Sequence, residues 1–256
     1  MAKISRQILS KLLSPVILIA LWYAVALFIN APLILPYPHN VINRLFDLAC
    51  QFAFWKSFLF TFLRVLIAFK FSVILGFAIG LLSADFPSFK SFIQFPLTVI
   101  RVTPIIAFIL ITLFWFQSDI VPVVVAVLMS LPVMITSCEK GFEKSPENKE
   151  KLFKAECYGF TGFYAFLYIR LRAAKASIMS GSESAFGLCW KVVAAGEVLS
   201  LPHYAAGTLM QKAQVHLETA DVLAVTTALI IVSGLCQFGM KKITEHSTIK
   251  KELKSA

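Results

Sequence analysis

Long uncharged runs, each able to cross a lipid bilayer, leave this chain few folds to adopt. A hydrocarbon core of ~30 Å takes about 20 helical residues to span. Within it every backbone polar group must find a partner inside the protein, which favours helices with no exposed edges. Six stretches have the length: residues 12–29, 58–82, 91–116, 120–138, 176–199 and 222–240. The first, fourth and sixth carry no charge. The second carries Arg64 and Lys70, the third only Arg101, and the fifth, the most polar, carries Glu183, Lys191 and Glu197. The expectation is an all-α integral membrane protein: six transmembrane helices in a single domain over residues 1–256.

Composition agrees. Hydrophobic residues make up 58% of the chain and charged residues 15%, with a mean hydropathy of +0.79. A soluble domain has roughly a quarter of its residues charged. The net charge of +10 does not point to nucleic acid, because the cations sit between the apolar runs. There they serve as topology signals and as contacts with anionic lipid. Lys3, Arg6 and Lys11 precede the first run, whose 18 residues exceed a usual signal-peptide core and lead to no small-x-small cleavage site. It reads as a retained span.

The cations also orient the chain. With the N-terminus inside, segments 1–11, 83–90, 139–175 and 241–256 face the cytoplasm and hold seventeen of the 24 Lys and Arg residues. The opposite segments, 31–56 and 200–219, hold only Arg44, Lys56 and Lys212. The positive-inside rule then places both termini in the cytoplasm. The outer stretch Leu35-Pro36-Tyr37-Pro38-His39-Asn40-Val41 reads as a proline-stiffened entry to an interfacial helix. Asn40 would cap that helix, with Val41, Leu45, Leu48 and Phe52 on its apolar face. A plain loop helix on the membrane explains it equally.

Between the fourth and fifth spans lie about 35 residues, from Glu139 to Lys175, far more than a connector needs. Ser145-Pro146-Glu147 has the form of a helix start, and Gly159 can end that helix in a left-handed conformation. A second short helix, about 161–171, is aromatic. This cytoplasmic loop reads either as a docking element for a partner or as an interfacial helix anchored by its aromatics and arginines.

These residues resemble a family. The chain is similar to permeases of ATP-binding-cassette importers in the nitrate, sulfonate, taurine and thiamine-precursor group. Their cytoplasmic "EAA" loop has an acidic-Ala-Ala start, a Gly four residues after the last Ala, and an aliphatic-x-Leu-Pro end. Here Ala155, Gly159, Ile169 and Leu171 match, while Phe153 replaces the opening acid and Arg172 the closing proline. Leu35-Pro36-x-Pro38, Arg64-Val65-Leu66, Thr103-Pro104, Gly187-Leu188-x-Trp190-Lys191, Ala195-x-Glu197-Val198-Leu199 and Thr219-Ala220-Asp221 match in order. The resemblance implies a type I importer permease fold in a bacterial inner membrane. It implies a short cytoplasmic coupling helix, with Ala155, Gly159, Phe160, Ile169 and Leu171 at the contact with an ATPase. Two permease copies, two ATPase copies and an extracytoplasmic substrate-binding protein would form the assembly. ATP and Mg would be held by the ATPase, and this chain would be no enzyme and carry no cofactor. In keeping with that, the sequence has no phosphate-loop GxxxxGK, no GxSxG, no CxxC and no HExxH.

Ionisable groups inside spans are functional candidates by default. Arg101, Glu183, Lys191 and Glu197 qualify. Arg101 and Lys191 would line a path and lower its barrier to an anion, or else each would pair with Glu183 or Glu197 to hold helices together. Small residues Ala173, Ser177, Ser180, Gly181, Ser184 and Gly187 give the fifth span a thin face, suited to close packing or to a pore wall. A self-contained secondary transporter or channel is the alternative to an importer permease.

Overall fold

The computed structural model describes residues 2–143 and 162–252. The expected helix from Ser145, together with Ala155, Gly159 and Phe160, lies outside the described residues. The helices that build the bundle are α1 (Ala2–Ile29), α2 (Pro38–Ala49), α3 (Phe52–Asp85), α4 (Pro87–Val102), α5 (Ile105–Thr112), α6 (Val121–Phe142), α7 (Leu171–Ser200), α8 (Ala206–Val215) and α9 (Thr219–Glu252). A turn at Phe163–Ala165 and a π-helical stretch, Phe166–Arg170, lead directly into α7. No strand occurs among the described residues.

α3, α6 and α9 are long and apolar enough to cross a membrane, and α4 with α5 makes a fourth crossing if the pair is one broken span. The sequence suggests a continuous span over 91–116. Instead the pair is bent by 98° at Thr103, which is extended (φ −70°, ψ 129°). Pro104 supplies the cause. It lacks an N–H and its ring drives the preceding residue out of the helical region. α3 begins six residues earlier than expected, and α6 continues through Glu139 and Lys140 to Phe142.

α6 is the central post. On one side, a Cβ built on Gly76 of α3 would lie 2.3 Å from the Met134 Cβ, and one on Gly80 would lie 2.6 Å from the Cys138 Cβ. On the other, a Cβ on Gly181 of α7 would lie 2.3 Å from the Ser137 Cβ. Apolar helices in lipid gain little by burying more apolar surface. Glycine instead lets their backbones approach until dispersion contacts and polar pairs form. Val65, Val121, Val125, Ile135, Val192 and Val193 fill the seam. Deep within it the Ser72 and Ser130 hydroxyls meet at 2.5 Å.

α6 runs parallel to α3 and α7 runs antiparallel to both, which gives the bundle two polar ends. At one, Arg44 of α2 grips Asp221 of α9 with Nε–Oδ1 at 2.5 Å and Nη2–Oδ2 at 2.6 Å. The hydrogen bond to Asp221 holds the Arg44 guanidinium above its ordinary range. α2 starts on Pro38, preceded by Tyr37 with no side-chain cap. Asn40 is therefore inside the helix rather than its cap, because proline takes the first position, where no N–H is needed. Val41, Leu45 and Leu48 turn inward, whereas Phe52 is 82% exposed.

At the other end, Arg170 forks onto Asp85 at 2.7 and 3.1 Å. Its guanidinium also lies 5.8 and 5.9 Å from the Phe142 and Phe166 rings. Gly162 takes the left-handed conformation (φ +62°) that the sequence assigns to Gly159. The aromatic segment is thus continuous with α7 rather than a separate helix.

Candidate functional site

Two polar features stand out in an otherwise apolar bundle, one buried and one open. The buried one centres on Arg64, one turn after Thr61 on α3. Its Nη1 donates to Glu197 Oε1 at 3.0 Å and to the Tyr204 carbonyl at 2.8 Å, and its Nη2 donates to Asp119 Oδ1 at 2.6 Å. The other carboxylate oxygen of Glu197 accepts from Thr61 Oγ1 at 2.9 Å and from the Gly207 N–H at 3.1 Å. That N–H belongs to the first turn of α8, where the positive end of the helix dipole favours an anion. Thr61 Oγ1 in turn accepts from the Ala206 N–H at 3.0 Å.

Local sequence builds this hub. Leu201 takes a left-handed conformation (φ 53°), ending α7 ahead of Pro202, and the chain turns back so that α8 starts over Glu197. Gly207 is required there. A Cβ on it would sit 2.6 Å from the Glu197 Cβ and 2.8 Å from the Ala194 carbonyl oxygen. The hub therefore ties α3, the segment before α6, α7 and α8 together. The Thr61 hydroxyl and the Glu197 carboxylate that meet in it are both fully buried, with no open face toward a substrate, and no metal-ligating cluster occurs among the described residues.

The open feature is a groove of about 300 Å³ between α7, α8 and α9, lined among others by Lys191, Ala195, Val198, Leu229, Ile230 and Gln237. It opens beside Lys191 and Ala195 of α7; further along that helix Ala173, Ser180 and Ser184 are also exposed, while Gly181 faces α6. The thin face expected of the fifth span is thus divided: part packs and part remains open.

The intramembrane charges are separated by this geometry. Glu197 is fully buried on Arg64. Glu183 accepts from the Thr244 hydroxyl. Arg101, exposed near the α4–α5 break, donates to the Pro132 carbonyl at 3.2 Å. Lys191 lies in the groove. Neither Arg101 nor Lys191 pairs with Glu183 or Glu197, which corrects the pairing considered from sequence. Those carboxylates have nearer partners, Arg64 and Thr244. Of the loop residues, Ile169 and Leu171 are half-buried, and Leu171 packs near Phe142. In the sequence, Arg64 stands out only within a longer resemblance. Its spacing from Thr61 is the available local signal, and Asp119 and Gly207 give none.

Known proteins place the chain. Residues 72–246 match the family described as binding-protein-dependent transport system inner membrane component. The chain is 21% identical over 251 residues to the taurine transport system permease protein of Escherichia coli, covering 96% of this chain and 90% of that one. It is 22% identical over 237 residues to a putative ABC transporter permease protein of Methanocaldococcus jannaschii, covering 90% and 87%. It is 23% identical over 200 residues to the glycine betaine transport system permease protein of Bacillus subtilis, covering 78% and 68%. With a matched region reaching from α3 into α9 and a bundle of membrane-crossing helices, this chain belongs to the family of binding-protein-dependent transport system inner membrane components, the multi-pass permeases of ABC transporters.

Proposed function

We propose that this chain is the permease subunit of an ATP-driven importer. It would cross the inner membrane six times, with α1 and α7 adding to α3, α4–α5, α6 and α9, and with both termini in the cytoplasm. A second copy completes the path. A cytoplasmic ATPase docks on each copy's loop between α6 and α7 through a coupling helix that includes Ala155, Gly159 and Phe160. A binding protein delivers the solute to the α2–α8 end. Relatives named for taurine and glycine betaine transport support a small organic solute.

One observation carries the reading: the loop leaves and rejoins the bundle at a single reinforced place. The end of α6, through Phe142, and the approach to α7, through Phe166 and Arg170, converge on the Asp85 end of α3. A displacement of the loop would therefore pull on a packed unit of three helices, not on a frayed connector. The coupling segment would include Ile169 and Leu171, which continue into α7 without a break. Arg101 and Lys191 face outward along their helices, as Lys70 does on α3, and would be placed to meet a solute on the path.

The test is co-purification and uptake. The tagged chain should retain an ATPase through detergent extraction, and Gly159→Asp should lose both that association and solute uptake. Transport by the purified chain alone in liposomes would overturn the reading in favour of a self-contained transporter.

A further inference from the structure

Among the described residues, Lys191 is the only ionisable side chain lining the groove between α7, α8 and α9. It lies six residues before Glu197, hence about 9 Å along the helix toward its middle. It is exposed to the groove, and no carboxylate partners it among the described residues. A lone ammonium at membrane depth is costly unless a counter-charge or water meets it.

The rest of the lining sharpens what could meet it. Val198, Met210, Leu229 and Ile230 give the groove apolar walls. The Thr226 and Ser233 hydroxyls donate to carbonyls of their own helix, those of Val222 and Ile230. Trp190, part of the same lining, has a buried indole N–H without an acceptor. The Gln237 side-chain amide lies over Gly187. The hydroxyl oxygens and the Gln237 amide offer both signs of hydrogen bond, so the one net charge of the described lining is the Lys191 ammonium, and no carboxylate balances it. A cation would meet an unbalanced like charge at Lys191, and a sugar would leave the apolar walls unmatched.

We propose that this groove binds a small organic anion, with its charged group on Lys191 and its carbon skeleton against Leu229 and Ile230. About 300 Å³ is the lower end of the range for small-molecule sites. The proposal rests on the importer reading for the groove's place on a solute path, so binding is measured apart from transport.

The experiment uses the full chain in phosphatidylcholine nanodiscs, with Trp22, Trp55 and Trp115 changed to Phe so that emission reports on Trp190. Propanesulfonate should give a saturable change that propylammonium does not. Lys191→Gln should weaken the apparent Kd by about tenfold or more, as loss of a charged hydrogen bond predicts, and Lys191→Arg should largely restore it. Ala195→Leu, which fills the groove and keeps the charge, should block the titration. Equal titrations for the unchanged chain and Lys191→Gln, or an equal response to propylammonium, would overturn the proposal. Phosphatidylglycerol discs distinguish the source of the anion. If that lipid alone shifts Trp190 emission and excludes propanesulfonate, the occupant is a headgroup and the solute proposal is wrong. Binding without ATPase-driven uptake would leave the groove standing and remove the importer reading.

Discussion

Arg64 on α3 meets Glu197 on α7 at 3.0 Å, across 133 positions of chain, with side-chain exposures of 8% and 0%. A buried pair is not in itself evidence of net stabilisation, because desolvation offsets the attraction. Its loss by halves is another matter, since the remaining charge keeps its desolvation without its partner. The guanidinium also serves Asp119 and the Tyr204 carbonyl. The hub is thus one unit whose members depend on each other.

Glu197→Ala should therefore destabilise the chain by about 3–5 kcal/mol. Arg64→Lys should also destabilise it, because an ammonium cannot span Glu197, Tyr204 and Asp119 with a planar fork. Thermal unfolding in detergent, followed by tryptophan emission, checks both. A midpoint for Glu197→Ala equal to that of the unchanged chain would contradict the hub's role.

Glycine substitutions separate close approach from mere helix propensity. Gly207→Ala places a methyl against Glu197 and the Ala194 carbonyl, whereas a Cβ at Gly234 meets nothing within 4 Å. Gly207→Ala should lower the unfolding midpoint and the yield of folded chain. Gly234→Ala should be neutral or raise stability by up to about 1 kcal/mol, the helix-propensity gain. Equal effects at the two positions would refute the packing argument.

The opposite end makes its own prediction. Asp85 and Arg170 are partly solvated, with side-chain exposures of 26% and 18%, so breaking them should cost only about 1 kcal/mol globally. The local effect should be larger. Arg170→Ala should raise amide hydrogen exchange across Phe166–Arg170, and exchanging the charges with Asp85→Arg plus Arg170→Asp should restore protection. Exchange unchanged in Arg170→Ala would show that the π-helical stretch holds itself.

How far the sequence reveals this architecture follows from the range of each interaction. The spans over 58–82, 120–138 and 222–240 are legible because a bilayer sets a minimum apolar length that each satisfies locally. The break at Thr103–Pro104 is visible only as a proline, and Pro132 shows the same residue kept inside a helix. What differs is the surrounding packing, which no local window contains. The hub is legible only in part. Glu197 is conspicuous as a carboxylate in an apolar run, but its partner is set by the antiparallel pairing of α3 and α7. Lys191 and Arg101 look like equivalent intramembrane cations in sequence. The fold separates them, placing one in a groove and one at a kink.

The account depends most on the loop between α6 and α7 emerging on the side of the membrane where ATP is hydrolysed. Two native cysteines can report this, Cys50 at the exposed end of α2 and Cys157 within the loop. A membrane-impermeant maleimide is applied to spheroplasts and to inverted vesicles, and the labelled peptides are mapped by mass spectrometry. Cys50 should label only in spheroplasts and Cys157 only in inverted vesicles. Labelling of Cys157 in intact spheroplasts, or of both cysteines from one side, would contradict the account.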